Sequence, residues 1–349
     1  MSKAFETTLT EKNQADPNDC LSRYLIRHGY SPDACLESLT PDASTRKYFR
    51  IRWNDKTAVV AVYPDPFDPV NQSFLDVTNL LRKAGLPVPE ILDVDGQEGV
   101  IVQEDLGDQQ LHWLIQSADD RTQISYIEKA ICLIAKIQAA TQLAKDENSI
   151  ASHLAFDEEK LSWELNFFFA HYFKSLRGES LSSPQETELR QELDQISREL
   201  SGVKRVLCHR DFHTANLMVD SSSILRVVDY QDARMGPASY DLVSLLLDRQ
   251  PSPPSDIQIR EWIKFFLLER EKIGLTSLDQ NSFTSEFHLM TLQRELKAAG
   301  TFSYQTAVNG RREAYFRFID PTLHIVLLAA QKLDRFPVLQ KAIKNRISL

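Results

Sequence analysis

Glycine is scarce in this chain. The 349 residues hold 11 glycines, at positions 29, 85, 96, 99, 107, 178, 202, 236, 274, 300 and 310. No pair is spaced to write GxGxxG or GxxxxGK[ST], which removes the phosphate-cradling loops of a dinucleotide-binding Rossmann fold and of a Walker-type ATPase; the GxSxG nucleophile elbow is missing as well. Cysteine is equally sparse. Cys20, Cys35, Cys132 and Cys208 make no CxxC pair, and with no HExxH the chain carries no zinc pattern. Positive charge is in deficit: Lys and Arg number 40 against 49 Asp and Glu, a net −9. No overall basic field is present to hold a nucleic-acid backbone, so no nucleic-acid partner is expected. No run approaches the ~18 apolar residues of a membrane span, and the N-terminus lacks the apolar stretch of a signal peptide. A reduced, cytoplasmic protein with no membrane partner is the expectation.

What remains is enough chain for two packed domains, with 42% hydrophobic and 26% charged residues. Residues 1–16 are polar and aperiodic, a tail. Pro17 suits the first turn of a helix that shows Cys20, Leu21, Tyr24, Leu25 and His28 on one face and stops at Gly29. Strands follow at Tyr48–Trp53 and Ala58–Tyr63 across the break Asn54-Asp55-Lys56. Prolines at 64, 66 and 69 precede a helix over Gln72–Ala84, and further strands are predicted at Glu90–Val94 and Gly99–Gln103. After the acidic junction 104–108 the pattern turns helical: Ile124, Ile127, Ile131, Ile134 and Ile137 make a buried stripe, and Leu161, Leu165, Phe168, Phe169 and Tyr172 another, read as core rather than ligand pocket. Ser180–Lys204 reads as an exposed helix with a loop, and Arg249–Ser255 as a surface loop.

One segment is hard to explain as packing. Leu217–Val219 and Ile224–Val228 are apolar strands joined by Asp220-Ser221-Ser222-Ser223, which predicts a hairpin. Asn216 enters it and Asp229 leaves it, so both sit at its open end on neighbouring strands ~5 Å apart, where two oxygen-bearing side chains can share a cation. Asp211 reaches the same end through a polar turn. This is the H-R-D-x-x-x-x-N pattern of kinase-like phosphotransferases, written His209-Arg210-Asp211 to Asn216 without a gap and followed by a metal-binding Asp. In that reading Asp211 orients the acceptor hydroxyl and takes its proton, while Asn216 and Asp229 hold Mg²⁺. Singly, each residue is an ordinary turn residue or a satisfied core histidine; the ordered set is not.

With Gly236-Pro237 and Tyr240-Asp241-Leu242 following, and His213 in place of the Leu-Lys of protein kinases, the block resembles the aminoglycoside phosphotransferase/choline kinase superfamily. Within it the chain most resembles the bacterial anomeric N-acetylmuramate/N-acetylglucosamine kinases, on the blocks Asp42-Ala43-Ser44-Thr45-Arg46-Lys47-Tyr48-Phe49-Arg50, Glu104-Asp105-Leu106-Gly107-Asp108, and Gln293-Arg294-Glu295-Leu296-Lys297 with Gly300-Thr301-Phe302. The resemblance implies an α+β, protein-kinase-like two-lobe fold with ATP and Mg²⁺ between the lobes. The N-lobe, a small antiparallel sheet with a helix, would be residues 17–103, the hinge 104–108, and the helical C-lobe 109–349. Backbone groups around Glu104 and Leu106 would hold adenine; Ser44, Thr45 and Arg46 would face the phosphates; Gln231, Asp232, Arg234 and Arg294 would contact the sugar, with bracing of helices explaining Arg294 nearly as well. His209 and Asp241 would be structural supports of the catalytic loop. The implied activity is transfer of phosphate to the anomeric hydroxyl of an amino sugar, in cell-wall recycling.

The chain departs from the kinase pattern in one coherent way. The strand Ala58–Tyr63 has no lysine and the helix Gln72–Ala84 no glutamate, so the usual Lys–Glu pair is missing on both sides. Arg46 and Lys47 are the candidates for the replacement cation. The rivals are a kinase of an aminoglycoside or choline-like alcohol and an ATP-binding pseudokinase acting through partners; the intact Asp211, Asn216 and Asp229 weigh against the second.

Overall fold

The computed structural model describes residues 16–31, 34–39, 46–248 and 254–347. Residues 1–15 of the expected N-terminal tail, most of the 249–255 loop, Ser44 and Thr45 lie outside these residues. The chain divides into two compact units, one of residues up to Leu75 with Pro89–Gly107, the other of Asp76–Val88 with Asp108–Leu349.

The first unit is built on a sheet. Helix α1 (Pro17–Arg27), capped by Asp16, is followed by β1 (Cys35–Leu39), β2 (Lys47–Trp53) and β3 (Lys56–Val62). Beyond α2 (Ser73–Lys83) come β4 (Ile91–Asp95) and β5 (Val100–Glu104). The order is β1-β2-β3-β5-β4 and every pairing is antiparallel. Alternation along the strands sorts the faces. Phe49, Ile51, Ala58, Val60, Val62, Val100 and Val102 bury against Cys20, Leu21, Tyr24 and Leu25 of α1. Tyr48, Arg50, Val59 and Ala61 take the other face. The strand expected at Ala58–Tyr63 in fact begins at Lys56, so it does contain a lysine, but an exposed one in the hairpin end opposite Trp53. It is ~17 Å along the strand from Ala61 at 3.4 Å per residue.

The second unit is mainly helical. The later part of α2 belongs to it, because Thr78 bonds Tyr230 (2.9 Å), Pro87 accepts from the Val227 N–H (2.9 Å), and Asp76 accepts from Ser149 Oγ and the Ile150 N–H (2.5 and 2.9 Å). Helices α3 (Leu111–Ser117), α4 (Asp120–Ala139), α5 (Thr141–Asp146), α6 (Ile150–His153) and α7 (Glu158–Phe168) lead into a π-helical stretch, Phe169–Leu176, and α8 (Ser183–Ser201). Strand β6 (Arg205–Cys208) pairs antiparallel with β9 (Arg234–Pro237), and between them β7 (Leu217–Val219) and β8 (Leu225–Val227) form the expected hairpin. Then come α9 (Tyr240–Leu247), α10 (Asp256–Lys272), the long α11 (Gln280–Ala307), α12 (Arg312–Tyr315), α13 (Ile319–Leu333) and α14 (Pro337–Lys344).

Two sequence readings need correction here. Ile124 is 45% exposed, so the α4 stripe begins one step later, at Ile127. Helix α8 is not merely exposed: Leu189, Leu193, Ile196 and Leu200 bury its inner face at helical spacing. The Leu161–Tyr172 stripe is core, as expected. Gly300 sits where α11 passes the end of α7, and a Cβ there would lie 2.7 Å from the Phe168 Cα, so only glycine permits that approach.

Candidate active site

The site in the second unit grows from the turn between β6 and β7. His209 is buried, and its Nε2–H donates to the Val228 carbonyl (3.0 Å), tying the turn to the end of β8. The fully buried Asp241, in the first turn of α9, accepts the backbone N–H groups of His209 and Arg210 (2.7 and 3.0 Å). Burial pushes the Asp241 carboxyl up; the charge of His209 and the two backbone hydrogen bonds pull the other way. This is the geometry of a brace for the loop, not of a group that meets substrate.

Arg210 has φ 89°, a left-handed conformation that costs a non-glycine residue about 1–3 kcal/mol. Three contacts hold it there. Its N–H is on Asp241, its carbonyl accepts from Arg294 Nη1 (2.8 Å), and its own Nη1 pairs with Asp232 Oδ2 (2.7 Å). The twist sends the next residue, Asp211, out of the packed turn.

The Asp211 carbonyl accepts from the His213 N–H (3.0 Å) and Asn216 Nδ2 (2.9 Å), while Asn216 Nδ2 also reaches Asp229 Oδ2 at 3.3 Å. Asn216 and Asp229 thus sit side by side as expected, with Asn216 tied to the backbone of Asp211. The Asp211 carboxylate, about one-third exposed, accepts no hydrogen bond among the described residues; it is flanked by Arg210 Nε at 3.7 Å and Lys297 Nζ at 3.9 Å. Burial works against its charge, but Lys297, Arg210, Arg294 and His213 outweigh it and hold the carboxyl well below the usual range. It is ionised at any physiological pH.

Asn216 and Asp229 suit a magnesium ion. The Asn216 amide nitrogen is shared between the Asp211 carbonyl and Asp229 Oδ2, which leaves Oδ1 as the acceptor of that side chain. Among the described residues no group of three or more His, Cys, Asp or Glu side chains makes a self-sufficient metal cage. Two protein oxygens completed by phosphate oxygens and water is how Mg²⁺ is commonly held. Asp229 also has φ 63°, a conformation that aspartate tolerates better than most residues.

The other sequence-predicted residues fall into place around this centre. Gln231 donates to Asp229 Oδ1 (2.9 Å). Asp232 is half exposed between Arg210 and Arg234, whose guanidinium lies over the Phe156 ring. Burial and the neighbouring Arg210 lower the Arg234 guanidinium from its ordinary value. Arg294 is 5% exposed and spends its terminal nitrogens on the Arg210 carbonyl, Ser244 Oγ and Asp248, so its position matches the bracing reading. In the first unit Glu104 accepts the Glu90 N–H (3.1 Å) with its own side chain, Asp105 pairs with Arg50 (2.7 Å), and Leu106 is half-buried beyond β5. Arg46 lies 5.7 and 5.6 Å from the ring centroids of Tyr48 and Tyr63; Lys47, one residue on, alternates to the opposite face.

Sequence reasoning passed over Lys297. Its signal was present: Gln293, Arg294 and Lys297 lie at i, i+1 and i+4, a polar strip on the otherwise buried middle of α11.

A His209-Arg210-Asp211 turn leading into a hairpin flanked by Asn216 and Asp229, on a mainly helical unit, is the arrangement expected of a kinase-like phosphotransferase. The model of the phosphotransferase enzyme family matches residues 36–273, and the chain belongs to that family. It is 30% identical over 277 residues to an N-acetylmuramate/N-acetylglucosamine kinase of Neisseria meningitidis, covering 78% of each chain. A Pseudomonas aeruginosa protein of the same description is 28% identical over 289 residues, with 82% of each covered. Among solved structures, a microcompartment-associated aminopropanol kinase superposes with a TM-score of 0.61 at 16% identity, covering 90% of this chain and 97% of that one, and so shares the fold.

Proposed function

We propose that this phosphotransferase is an ATP- and Mg²⁺-dependent kinase that phosphorylates the anomeric hydroxyl of an amino sugar of the N-acetylmuramate/N-acetylglucosamine type, in the cytoplasm and in cell-wall recycling. The observation that supports the chemistry is that Asn216, hydrogen-bonded to the Asp211 carbonyl, stands beside Asp229 at the hairpin mouth. Asp211 would orient the hydroxyl and accept its proton, and Asn216 with Asp229 would hold Mg²⁺, which when bound neutralises phosphate charge. Residues 104–108 would present backbone groups to adenine and Arg46 a cation to the phosphates. The acceptor class rests on the kinase relatives of that description at 28–30% identity over about four-fifths of the chain. It is supported by charge: Lys297, Arg210 and Arg294 surround Asp211, which disfavours a cationic aminoglycoside or choline-like alcohol.

The pseudokinase alternative draws on one observation, that β3 carries no lysine in its middle. A single experiment separates the readings. ADP release is measured against a panel of amino sugars and amino alcohols, with ³¹P NMR locating the phosphate on the product. Turnover with N-acetylated sugars and an anomeric phosphate is expected, with Asp211→Asn lowering kcat ~10²–10⁴-fold. Turnover only with amino alcohols transfers the assignment to that class, and nucleotide binding without transfer to any acceptor makes the chain a pseudokinase.

A further inference from the structure

Two cations flank Asp211, and they are not equivalent. Arg210 is committed: its Nη1 holds Asp232 at 2.7 Å and its backbone is fixed at both N–H and carbonyl. Lys297 is not. Its ammonium, on a side chain 22% exposed, stands 3.9 Å from Asp211 Oδ1, beyond hydrogen-bond length, and donates no hydrogen bond among the described residues. Its three N–H donors are thus left for an acceptor that a ligand beside Asp211 would supply. The position is not an accident of a mobile chain end. Arg294 and Gln293, on the same stretch of α11, are anchored to the Arg210 carbonyl (2.8 Å) and to Glu164 (2.6 Å), which fixes the helix against the catalytic loop.

A phosphoryl group in transfer spreads negative charge over its equatorial oxygens and is stabilised by cations held in place beforehand. In this chain β3 offers only Lys56, exposed at the wrong end of the strand, and the residue two positions after Asp211 in the loop is His213. We propose that Lys297 is a catalytic residue whose ammonium contacts the phosphoryl group as it passes to the hydroxyl oriented by Asp211, supplying from α11 the charge that β3 does not carry. The inference rests on the kinase reading above. In the step itself the acceptor oxygen bonds to the γ-phosphorus as the bond from that phosphorus to the β–γ bridging oxygen breaks; the electron pair leaves on ADP and the hydroxyl proton goes to Asp211. Burial, with Arg294 and Arg210 nearby, lowers the Lys297 ammonium from its ordinary value, while Asp211 and Glu164 favour its charge.

The test compares wild type, Lys297→Met and Lys297→Arg in turnover with N-acetylglucosamine, and in affinity for two probes in the presence of Mg²⁺: AMP-PNP and ADP with aluminium fluoride, which mimics the phosphoryl in flight. Lys297→Met is expected to lower kcat ~10²–10³-fold, the usual loss for one preorganised transition-state contact, with KM values and AMP-PNP affinity within about threefold. It should also abolish the preference for ADP–aluminium fluoride over AMP-PNP, and Lys297→Arg should recover part of both. The inference is overturned if Lys297→Met keeps that preference and turns over at the wild-type rate, or if it loses both probes in parallel with its melting temperature, the mark of a structural role. A wild type that transfers nothing to any sugar yet shows a Lys297-dependent preference for the fluoroaluminate complex sinks the sugar assignment and leaves Lys297 standing. A wild type that binds neither probe sinks both.

Discussion

Arg294 Nη1 donates a 2.8 Å hydrogen bond to the carbonyl of Arg210, a residue 84 positions earlier whose φ is 89°. The same guanidinium pairs with Asp248 and Ser244 and lies 4.5 Å from the Tyr240 ring centroid. The conformation that turns Asp211 outward is thus held from α9 and α11 at once, and the loop inherits the rigidity of the helical core.

Removing Arg294 should therefore cost both fold and rate. Arg294→Leu leaves the largely buried Asp248 with Ser244 Oγ but no cation, a change worth about 3–5 kcal/mol, and frees the Arg210 carbonyl. Denaturant unfolding should show that loss, and kcat should fall in the fraction that remains folded. A variant with wild-type stability and rate would mean the clamp is incidental.

Asp229 and Asn216 should rank unequally. In the proposed Mg²⁺ site Asp229 would bring a full charge and Asn216 a neutral carbonyl. Titrating Mg²⁺ in the turnover assay should show Asp229→Ala inactive at any concentration, and Asn216→Ala partly rescued at high Mg²⁺. Identical Mg²⁺ dependence of wild type and Asp229→Ala would remove this residue from the metal site.

Arg46 and Lys47 test the phosphate end. Arg46 is held beside the Tyr48 and Tyr63 rings, whereas Lys47 is exposed on the alternate face of β2. Arg46→Ala should raise the KM for ATP several-fold, on the order of one charge contact, and Lys47→Ala should leave it unchanged. Equal kinetics for both variants and wild type would place the phosphates elsewhere.

Glu295 gives a pH signature. It is buried beside Asp248; burial, then the Asp248 charge, push its carboxyl well above the ordinary value, while Asp248, paired with Arg294, is held low. A folded value above the unfolded one means that the folded state binds the proton more tightly. The resulting stabilisation is complete below ~4.3, the unfolded glutamate value, and is lost as pH rises toward the folded value. Glu295→Gln, neutral throughout and able to donate to Asp248, should lack this loss. Melting temperatures from pH 5 to 8 should fall for wild type relative to the variant, and parallel curves would show that Glu295 is already charged.

The β7–β8 hairpin was legible in the sequence because its signal is local. The run from Asp211 to Asp229 brackets a turn whose period-two strands bring both ends together whatever surrounds them, so spacing alone placed Asn216 beside Asp229. The strand alternation of β2 likewise separated Arg46 from Lys47. The absence of a mid-strand lysine was also readable, although Lys56 inside β3 shows that strand ends are set by pairing with β2 and not by composition. Tertiary structure alone decided what charges the site. Lys297 and Arg294 meet the loop because α11, stripped of a Cβ at Gly300, packs close against the end of α7, and nothing in the distance along the chain from Asp211 to Lys297 records that contact. Side chains on one hairpin are joined by covalent geometry; those on a distant helix are joined only by packing, and packing is not written in the spacing of residues.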